Sequence, residues 1–387
     1  MKRYYAISAI ITLFAVSLTL LFSYLAWKEQ SLVAPKEFEA SPPLETSLSK
    51  PLPPKKEEPV TEKRSETTIT IGMIGDILLH EPMLYYGDYH FAFNDVKKQL
   101  QDMDFLLANI ESLPGGQELG LSGYPKFNSP KAIVPALINS GVHFASIANN
   151  HVLDHGERQL QSTIATFKEY DLPYTGAFAS EEDLAEMRVV DVEGVKVGIL
   201  AYTYGTNLYK QSHPDGKQYL INIIEEKRVV RDLAKMKELA DVTVLSLHWG
   251  TEYSHETTEL QRRLSERFTE AGADIIFGHH THVLQPMQFV NERPVFYSLG
   301  NFYSAQPWAG TNIGGIARVS LTKIQQGDDV TIQINDAHLH PTAVTQDMQF
   351  PNEKKARLRV RSLADVGNVL GYTVDKVEEI VGTTSWE

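Results

Sequence analysis

Residues 68–76 read TITIGMIGD, a β-rich apolar run that ends on a glycine and a charged aspartate. The same pattern recurs along the chain, where apolar runs predicted to be buried strands pass directly into polar residues. Five runs end in Gly75-Asp76, Asn109-Ile110-Glu111, Asn149-Asn150-His151, His248-Trp249-Gly250 and Gly278-His279-His280-Thr281-His282. Because ligands bind beyond the carboxyl ends of the strands in open α/β sheets, these runs predict one shared site.

Helical patterns separate these strands and indicate the fold class. Helices are predicted at 132–139, 157–170, 225–239 and 259–271. Strands that alternate with helices predict an α/β fold with a mainly parallel inner region. Glu193-Gly194 predicts the turn of a hairpin. VFYSLGNF (295–302), 315–321 and 330–335 predict a final antiparallel set, and the last forty residues are weakly patterned.

Composition excludes several classes of protein. The chain has 387 residues, a formal net charge of -13 and no cysteine. The absence of cysteine excludes disulfides, thiolate nucleophiles and cysteine-ligated zinc or iron–sulfur sites. An acidic chain is a poor binder of nucleic acid, because phosphate contacts need a basic face. Any metal must therefore be held by histidine, aspartate, glutamate and asparagine.

The N-terminus has the pattern of a membrane anchor. Lys2 and Arg3 precede an uncharged, mostly apolar run from Tyr4 to Trp27, which is long enough as a helix to cross a bilayer. The basic residues favour a cytoplasmic start, so we expect a single-pass cell-membrane protein with everything after Trp27 on the extracellular side. A cleaved signal peptide is the alternative reading of this segment.

A linker separates the predicted anchor, residues 1–27, from the folded part. Residues 28–66 contain seven prolines, seven Lys/Arg and eight Glu, a composition typical of an extended, disordered segment. Their charges nearly cancel, so the acidity of the chain belongs to the residues that follow. We expect the main domain at 67–345 and a C-terminal extension at 346–387.

The polar clusters contain the side chains that bind transition metals. Imidazole combined with carboxylate and amide oxygens suits zinc, manganese or iron better than calcium. His280 and His282 are spaced i, i+2, which on a strand-like segment puts both rings on the same side. Each cluster has a plain alternative: Asp76 as a helix cap, Glu111 as a surface carboxylate, Asn149-Asn150 as a turn and His248 as a core histidine.

Six motifs together resemble one protein family. They are GDILLH (75–80), NIES (109–112), SIANNHVLDHG (146–156), LSLHWGTEY (245–253), FGHHTHVLQP (277–286) and YSLGNF (297–302). In this order they resemble the CapA family, also called PgsA, the poly-γ-glutamate capsule biosynthesis proteins. That family is related to the calcineurin-like metallophosphoesterases. The resemblance covers roughly residues 68 to 340.

The resemblance implies a four-layer α-β-β-α sandwich with one or two divalent metal ions at the strand ends. It implies His151 as the catalytic acid. The implied metal ligands are Asp76, Glu111, Asn150, His248, His280 and His282. The implied supporting or substrate-side residues are His80, Asn109, Asn149, Asp154, Glu252, His279 and Asn301.

Three departures from the superfamily pattern bear on the second ion. Leu78 stands where the superfamily has a histidine two residues after the first aspartate, and the nearest histidine is His80. Glu111 stands at the position of a bridging aspartate. The doublet His279-His280 leaves open which of the two histidines is the ligand.

Two functions follow from the resemblance. One is a membrane-anchored, metal-dependent hydrolase that cleaves phosphoesters or amides in poly-γ-glutamate synthesis or export. The other is a non-catalytic subunit that handles poly-γ-glutamate, or another cell-surface polymer, beside the synthase subunits. Candidate contacts for a polymer are the basic residues Lys126, Arg262, Arg263 and Arg318 and the aromatic residues Tyr124, Trp249, Tyr253, Phe302 and Trp308.

Overall fold

The computed structural model describes residues 64–347 and 356–382, which form a mixed α/β fold with two β-sheets. The predicted anchor and nearly all of the predicted linker lie outside the described residues. Within the described residues no helix is long and apolar enough to cross a membrane. The predicted α/β class is confirmed for this part of the chain.

The first sheet has eight strands. They are β1 (Arg64–Leu78), β2 (Phe105–Ile110), β3 (Phe144–Ser146), β4 (Tyr174–Thr175), β11 (Asn301–Ser304), β12 (Ile313–Gln326), β13 (Asp329–Asp347) and β14 (Arg357–Ser362). Their order is β14-β13-β12-β1-β2-β3-β4, with β11 also paired to β1. The half from β1 to β4 is parallel, and the half from β12 to β14 is antiparallel.

The second sheet has six strands. They are β5 (Arg188–Val192), β6 (Val195–Thr203), β7 (Val242–His248), β8 (Ile275–His279), β9 (Met287–Val290) and β10 (Arg293–Phe296), in the order β5-β6-β7-β8-β10-β9. Its centre, β6-β7-β8-β10, is parallel, as predicted for an inner region. The predicted hairpin is confirmed, because β5 and β6 are antiparallel and Glu193 and Gly194 have φ of 53° and 85°.

Eight α-helices are described in the two ranges. They are α1 (Lys97–Gln101), α2 (Ile133–Ser140), α3 (Gly156–Glu169), α4 (Glu181–Ala185), α5 (Glu226–Lys237), α6 (Glu259–Glu270), α7 (Leu363–Val366) and α8 (Val374–Val381). The helices predicted from the sequence correspond to α2, α3, α5 and α6. A capping box of Thr258 and Gln261 defines the start of α6, because each side chain bonds the backbone of the other residue.

Three apolar cores hold the sheets and helices together. Alternate residues of β6, such as Val197 and Ile199, pack with Ile71 and Met73 of β1 between the two sheets. The outer face of the first sheet is covered by α2 and α3. The outer face of the second sheet is covered by α5 and α6. Burial on both faces explains why the parallel strands read as near-continuous apolar runs.

The predicted final antiparallel set is confirmed for 315–321 and 330–335, which lie in the antiparallel strands β12 and β13, but VFYSLGNF does not join it. The structure divides this stretch between the sheets: β10 pairs parallel with β8 and antiparallel with β9, and β11 pairs parallel with β1. The chain crosses at Gly300, whose φ is 60°. A side chain at Gly75 would collide with the Gly300 carbonyl, so two glycines permit the crossing. The crossing places Asn301 beside Asp76.

The weakly patterned C-terminal residues contribute to the same fold. β14 forms the edge of the first sheet beside β13. Beyond it, the hydroxyl oxygen of Tyr372 lies 3.0 Å from Nε2 of His255, in the loop between β7 and α6. The C-terminal segment therefore contacts the loop that carries Glu252 and Tyr253.

Candidate metal centre and cleft

A buried group of carboxylate and imidazole side chains lies where the parallel strands of both sheets end. Asp76 of β1, Glu111 after β2 and His248 of β7 offer ligand atoms that all lie within 4.8 Å of one another. These three residues are at most 1% exposed. The structure therefore brings together three residues that the sequence places far apart, in an arrangement that could hold a metal ion.

Glu111 lies between two histidine nitrogens, one on each side of its carboxylate. Its Oε1 is 3.5 Å from Nε2 of His248, and its Oε2 is 3.8 Å from Nδ1 of His282. Both oxygens are buried, and neither has a hydrogen-bond partner among the described residues. Burying an unpaired carboxylate is costly unless a cation or a donor compensates it. A divalent cation on one or both sides of Glu111 fits this environment.

Asn150 and His280 extend the donor set on the His248 side. Oδ1 of Asn150 is 2.7 Å from Nε2 of His248. The ring of His280 is 4.8 Å from that of His248, and its Nδ1 is buried without a described partner. The amide oxygen of Asn150, the ring of His248 and the unpaired Nδ1 of His280 are donor groups expected of a site that binds an ion.

Asp76 is held from several sides. Nδ2 of Asn109 donates to Oδ1 of Asp76 at 2.8 Å, and Nδ1 of His279 lies 3.1 Å from the same oxygen. Nδ1 of His282 lies 3.2 Å from Oδ2 of Asp76 and 3.1 Å from Oδ1 of Asn301. Asn109 and His279 thus contact the carboxylate of Asp76, and Asn301 contacts the neighbouring ring of His282.

The pKa shifts follow from burial and from these contacts. Burial opposes the charge on Asp76, but bonds from His279 and His282 outweigh it and hold the pKa of this carboxyl well below its usual range. Burial, reinforced by the charge of Asp76, raises the pKa of Glu111 well above its usual range. Burial lowers the pKa of His248 well below its usual range and that of His280 to about 3. Neutral imidazoles are the form that binds metals.

The backbone at His280 and His282 differs from the prediction. The strand β8 ends at His279, so the prediction that His280 and His282 lie on a strand-like segment is wrong. His280 and His282 instead have φ of 92° and 60°. Such conformations cost roughly 1–3 kcal/mol in a non-glycine residue and concentrate at functional sites. This left-handed backbone allows both rings to reach the centre.

His151 and Asp154 form a pair beside the centre. Nδ1 of His151 lies 2.7 Å from Oδ2 of Asp154, which also accepts a bond from the backbone N–H of Phe127 at 2.8 Å. The His151 ring meets the Phe127 ring edge-on at 4.7 Å. A charged aspartate at Nδ1 favours a proton on that nitrogen, which leaves Nε2 to exchange a proton with a ligand.

Asn149 shapes the loop that presents Asn150 and His151. Its Nδ2 donates to the Ile110 carbonyl and its Oδ1 accepts from the backbone N–H of His151, each at 3.0 Å. Both ends of the amide are therefore used within the loop, in the manner of an Asx turn. The turn interpretation applies to Asn149, while Asn150 faces the metal centre.

His80 and Glu252 lie at the entrance to the centre. Nδ1 of His80 is 3.1 Å from the Leu78 carbonyl, and burial lowers the pKa of its ring to about 4. Oε1 of Glu252 is 4.0 Å from Nε2 of His282. The described contacts of His80 do not include Asp76 or Glu111, so it lines the entrance.

A cleft of about 890 Å³ leads to the centre. It is lined by His151, Asp154, Glu252 and His282, and by Tyr124, Tyr253 and Trp308. These three aromatic residues are 78%, 44% and 59% exposed. Trp249 and Phe302, which we also expected as cleft residues, are 3% and 0% exposed and pack in the cores instead.

Only one of the four predicted basic contacts lines the cleft. Lys126 lies in its wall. Arg262 donates to the Thr257 carbonyl, Arg263 pairs with Glu226, and Arg318 pairs with Asp336, all away from the lining residues. The cleft therefore offers little positive charge of its own to a polyanion.

Asn207 and Leu208, which are not among the residues predicted from the sequence, also line the cleft. The stretch AYTYGTN (201–207) follows the predicted strand of 195–202 and ends in polar residues. The rule used for the other five clusters could therefore have identified Asn207. Nδ2 of Asn207 lies 3.2 Å from Nδ1 of His151.

Comparison with known proteins identifies relatives of this chain. The family profile described as "Bacterial capsule synthesis protein PGA_cap" matches residues 70–306. "Capsule biosynthesis protein CapA" of Bacillus anthracis is 30% identical over 65% of this chain and 64% of its own length. "PGA biosynthesis protein CapA" of Bacillus subtilis strain 168 is 27% identical over 73% of this chain and 76% of its own length. The chain thus spans about two thirds to three quarters of these relatives.

Solved structures overlap with the fold only in part. A sulfate thiohydrolase, SoxB of Thermus thermophilus, superposes with a TM-score of 0.40 and 14% identity over 80% of this chain and 59% of its own. An overlap of this size supports no statement about activity.

Proposed function

Because the chain belongs to the bacterial capsule synthesis family PGA_cap, we propose that it acts in poly-γ-glutamate biosynthesis as a metal-dependent hydrolase. The proposal includes a metallophosphoesterase-like four-layer fold, a membrane anchor in residues 1–27 and an outward-facing domain. Synthase subunits and the polymer are its proposed partners.

One observation carries the hydrolase proposal. Glu111 is fully buried, its two oxygens lack partners among the described residues, and histidine nitrogens face it on both sides. A bound cation would compensate the negative charge of a carboxylate buried in this environment. Asp76, Glu111, Asn150, His248, His280 and His282 are the residues that would hold one or two ions of manganese, zinc or iron.

The remaining residues have roles that follow from their positions. A bound divalent ion would supply Lewis acidity to a phosphoryl or carbonyl group in the cleft. Nε2 of His151 is placed to give a proton to a leaving group, and Asp154 holds the proton on Nδ1 and orients the ring. Glu252 and Lys126 are charged groups in the wall, besides Asp154, that a substrate would meet.

A paired substitution tests the proposal. His151→Ala should lower turnover of poly-γ-glutamate, or of a phosphodiester with an alkyl alcohol leaving group, by about 10²–10⁴-fold, the usual contribution of a general acid, without loss of bound metal. His155→Ala is the matched control, because Nε2 of His155 bonds Ser122 outside the centre. Equal activity of both variants would contradict catalysis by His151.

A non-catalytic polymer-handling subunit is the second candidate function. The exposed Tyr124, Tyr253 and Trp308 around the wide cleft favour it. In cells, this function predicts normal polymer production with His151→Ala and loss of production when residues 1–27 are deleted.

Protease added to intact cells should remove the domain, and full protection would contradict the outward orientation.

A further inference from the structure

The crossover between β6 and α5, residues 204–225, passes over the candidate metal centre. The backbone N–H of Tyr204 donates to the His248 carbonyl at 2.9 Å, and that of Asn207 donates to the Asn150 carbonyl at 2.8 Å. Farther along, the N–H of Asn222 donates to the Gly176 carbonyl at 2.9 Å. The crossover thus starts on the second sheet and bonds to loops of the first sheet.

The side chain of Asn207 contacts two residues of the site. Its Oδ1 accepts from Nδ2 of Asn150 at 3.3 Å. Its Nδ2 lies 3.2 Å from Nδ1 of His151, but the proton on that nitrogen is directed to Asp154, so only the bond from Asn150 orients the amide of Asn207. A carboxamide has one oxygen acceptor and one nitrogen donor group. When Nδ2 of Asn150 faces Asn207, Oδ1 of Asn150 must face His248, where it lies 2.7 Å from Nε2.

We propose that Asn207 is a positioning residue of the metal centre, which fixes the amide of Asn150 so that its oxygen faces the cation. This inference rests on the proposed function, because it takes the centre to hold a divalent ion. Asn207 is exposed at the cleft wall, and its neighbour Leu208 lines the same wall. The crossover therefore links the cation ligands to the shape of the cleft.

The crossover is held at its far side as well. Nζ of Lys217 donates to both carboxylate oxygens of Glu157 in α3, at 2.6 and 2.7 Å. Within the crossover itself, Nε2 of His213 lies 2.8 Å from the Ile221 carbonyl. Because α3 directly follows the loop of His151, the crossover and the ligand loop share one support. Asn207 is thereby presented from a tethered segment.

Titration of Mn²⁺ into chelator-treated full-length protein, followed by calorimetry, tests the inference. Asn207→Ala should weaken Mn²⁺ binding by about tenfold or more, the range for residues that orient metal ligands. Asn207→Asp keeps an oxygen acceptor for Nδ2 of Asn150, so its affinity should fall by no more than about threefold. Gln211→Ala, an exposed residue of the same crossover, is the matched control and should bind as wild type.

The outcomes separate this inference from the function on which it rests. Asn150→Ala is the reference for loss of a ligand. If Asn150→Ala loses Mn²⁺ and Asn207→Ala binds it like wild type, the role of Asn207 is overturned and the centre stands. Equal losses in Asn207→Ala and Asn207→Asp also overturn it, because they indicate a structural role alone. A wild-type protein that takes up no Mn²⁺ overturns the proposed function itself.

Discussion

Glu111 affects both the stability of the metal-free protein and the affinity of the centre for a metal ion. Its carboxylate is buried beside Asp76, and burial together with that neighbouring charge raises its pKa. Without a cation the charged form opposes folding, because a desolvated negative charge has no compensating partner. With a cation the same charge becomes the basis of affinity. Glu111 thus lowers the stability of the metal-free protein and raises its affinity for a metal ion.

Glu111→Gln should therefore have opposite effects on two measurements. The variant should bind Mn²⁺ at least about tenfold more weakly, because a charged ligand is lost. In chelator, its free energy of unfolding should equal or exceed that of the wild type, because Gln removes the cost of burying a carboxyl whose pKa is raised by burial. Calorimetry and urea unfolding measure the two effects.

Glu118→Gln is the matched control for that substitution. Glu118 is an exposed carboxylate near Lys131, so its removal should change neither quantity appreciably. A Glu111→Gln variant that binds Mn²⁺ as tightly as the wild type would contradict the assigned position of the ion.

Most residues of the centre could be predicted from the sequence, but part of their geometry could not. Asp76, Glu111 and His248 were expected to converge because each follows an apolar strand, and the strand-end rule depends only on that pattern. The left-handed backbone of His280 and His282 could not be read from the sequence, because φ at a non-glycine residue is imposed by packing. Asn207 follows a strand that the sequence indicates as one half of a hairpin, so the hairpin pattern does not assign Asn207 to the site.

At the scale of elements, glycines allow strands to approach where the centre forms. A side chain at Gly278 of β8 would collide with the Tyr297 carbonyl and lie close to Nε1 of Trp249. Gly278 directly precedes His279 and His280. The position of β8, and with it that of His279 and His280, therefore depends on residue 278 being a glycine.

Gly278→Ala should destabilise the fold by about 3 kcal/mol, because backbone atoms cannot move aside as a flexible side chain could. Metal affinity of the protein that still folds should also fall. Gly87→Ala is the control: Gly87 has φ of 75° with open space around it, so only the cost of the left-handed conformation, about 1–2 kcal/mol, applies.

Urea unfolding in chelator compares the two glycine variants. A Gly278→Ala variant no less stable than Gly87→Ala would contradict the close approach of β8 to the segment at Tyr297.

The division of VFYSLGNF shows why element-level prediction has limits. Eight consecutive apolar and polar residues give no signal that the chain leaves one sheet for the other. The crossing depends on Gly300 and Gly75, which come from segments far apart in the chain. Only their spatial pairing reveals that Asn301 lies beside Asp76.

At the scale of the whole molecule, the net negative charge of the chain opposes the binding of a polyanion. The chain has a formal net charge of -13, and Lys126 is the one Lys or Arg side chain in the described cleft lining. Poly-γ-glutamate would meet repulsion over most of the surface. Bound cations and the aromatic residues at the entrance are the groups that could offset it.

Binding of poly-γ-glutamate should therefore depend on divalent cations. Chelation should weaken binding to the full chain by about tenfold or more, and Trp308→Ala should weaken it further, by the 1–2 kcal/mol typical of an aromatic contact. Phe289→Ala, which removes an exposed aromatic residue from β9 outside the cleft lining, is the control. Binding that chelation leaves unchanged, or that Phe289→Ala weakens as much as Trp308→Ala, would contradict this account.

We propose that distant parts of the chain converge to hold a divalent ion, and elemental analysis of the purified protein measures that ion. Protein purified without chelator should carry about one to two equivalents of manganese, zinc or iron, as expected for a catalytic metal site. The Asp76→Ala variant should carry markedly less. Wild-type protein with none of these metals above background would contradict the claim.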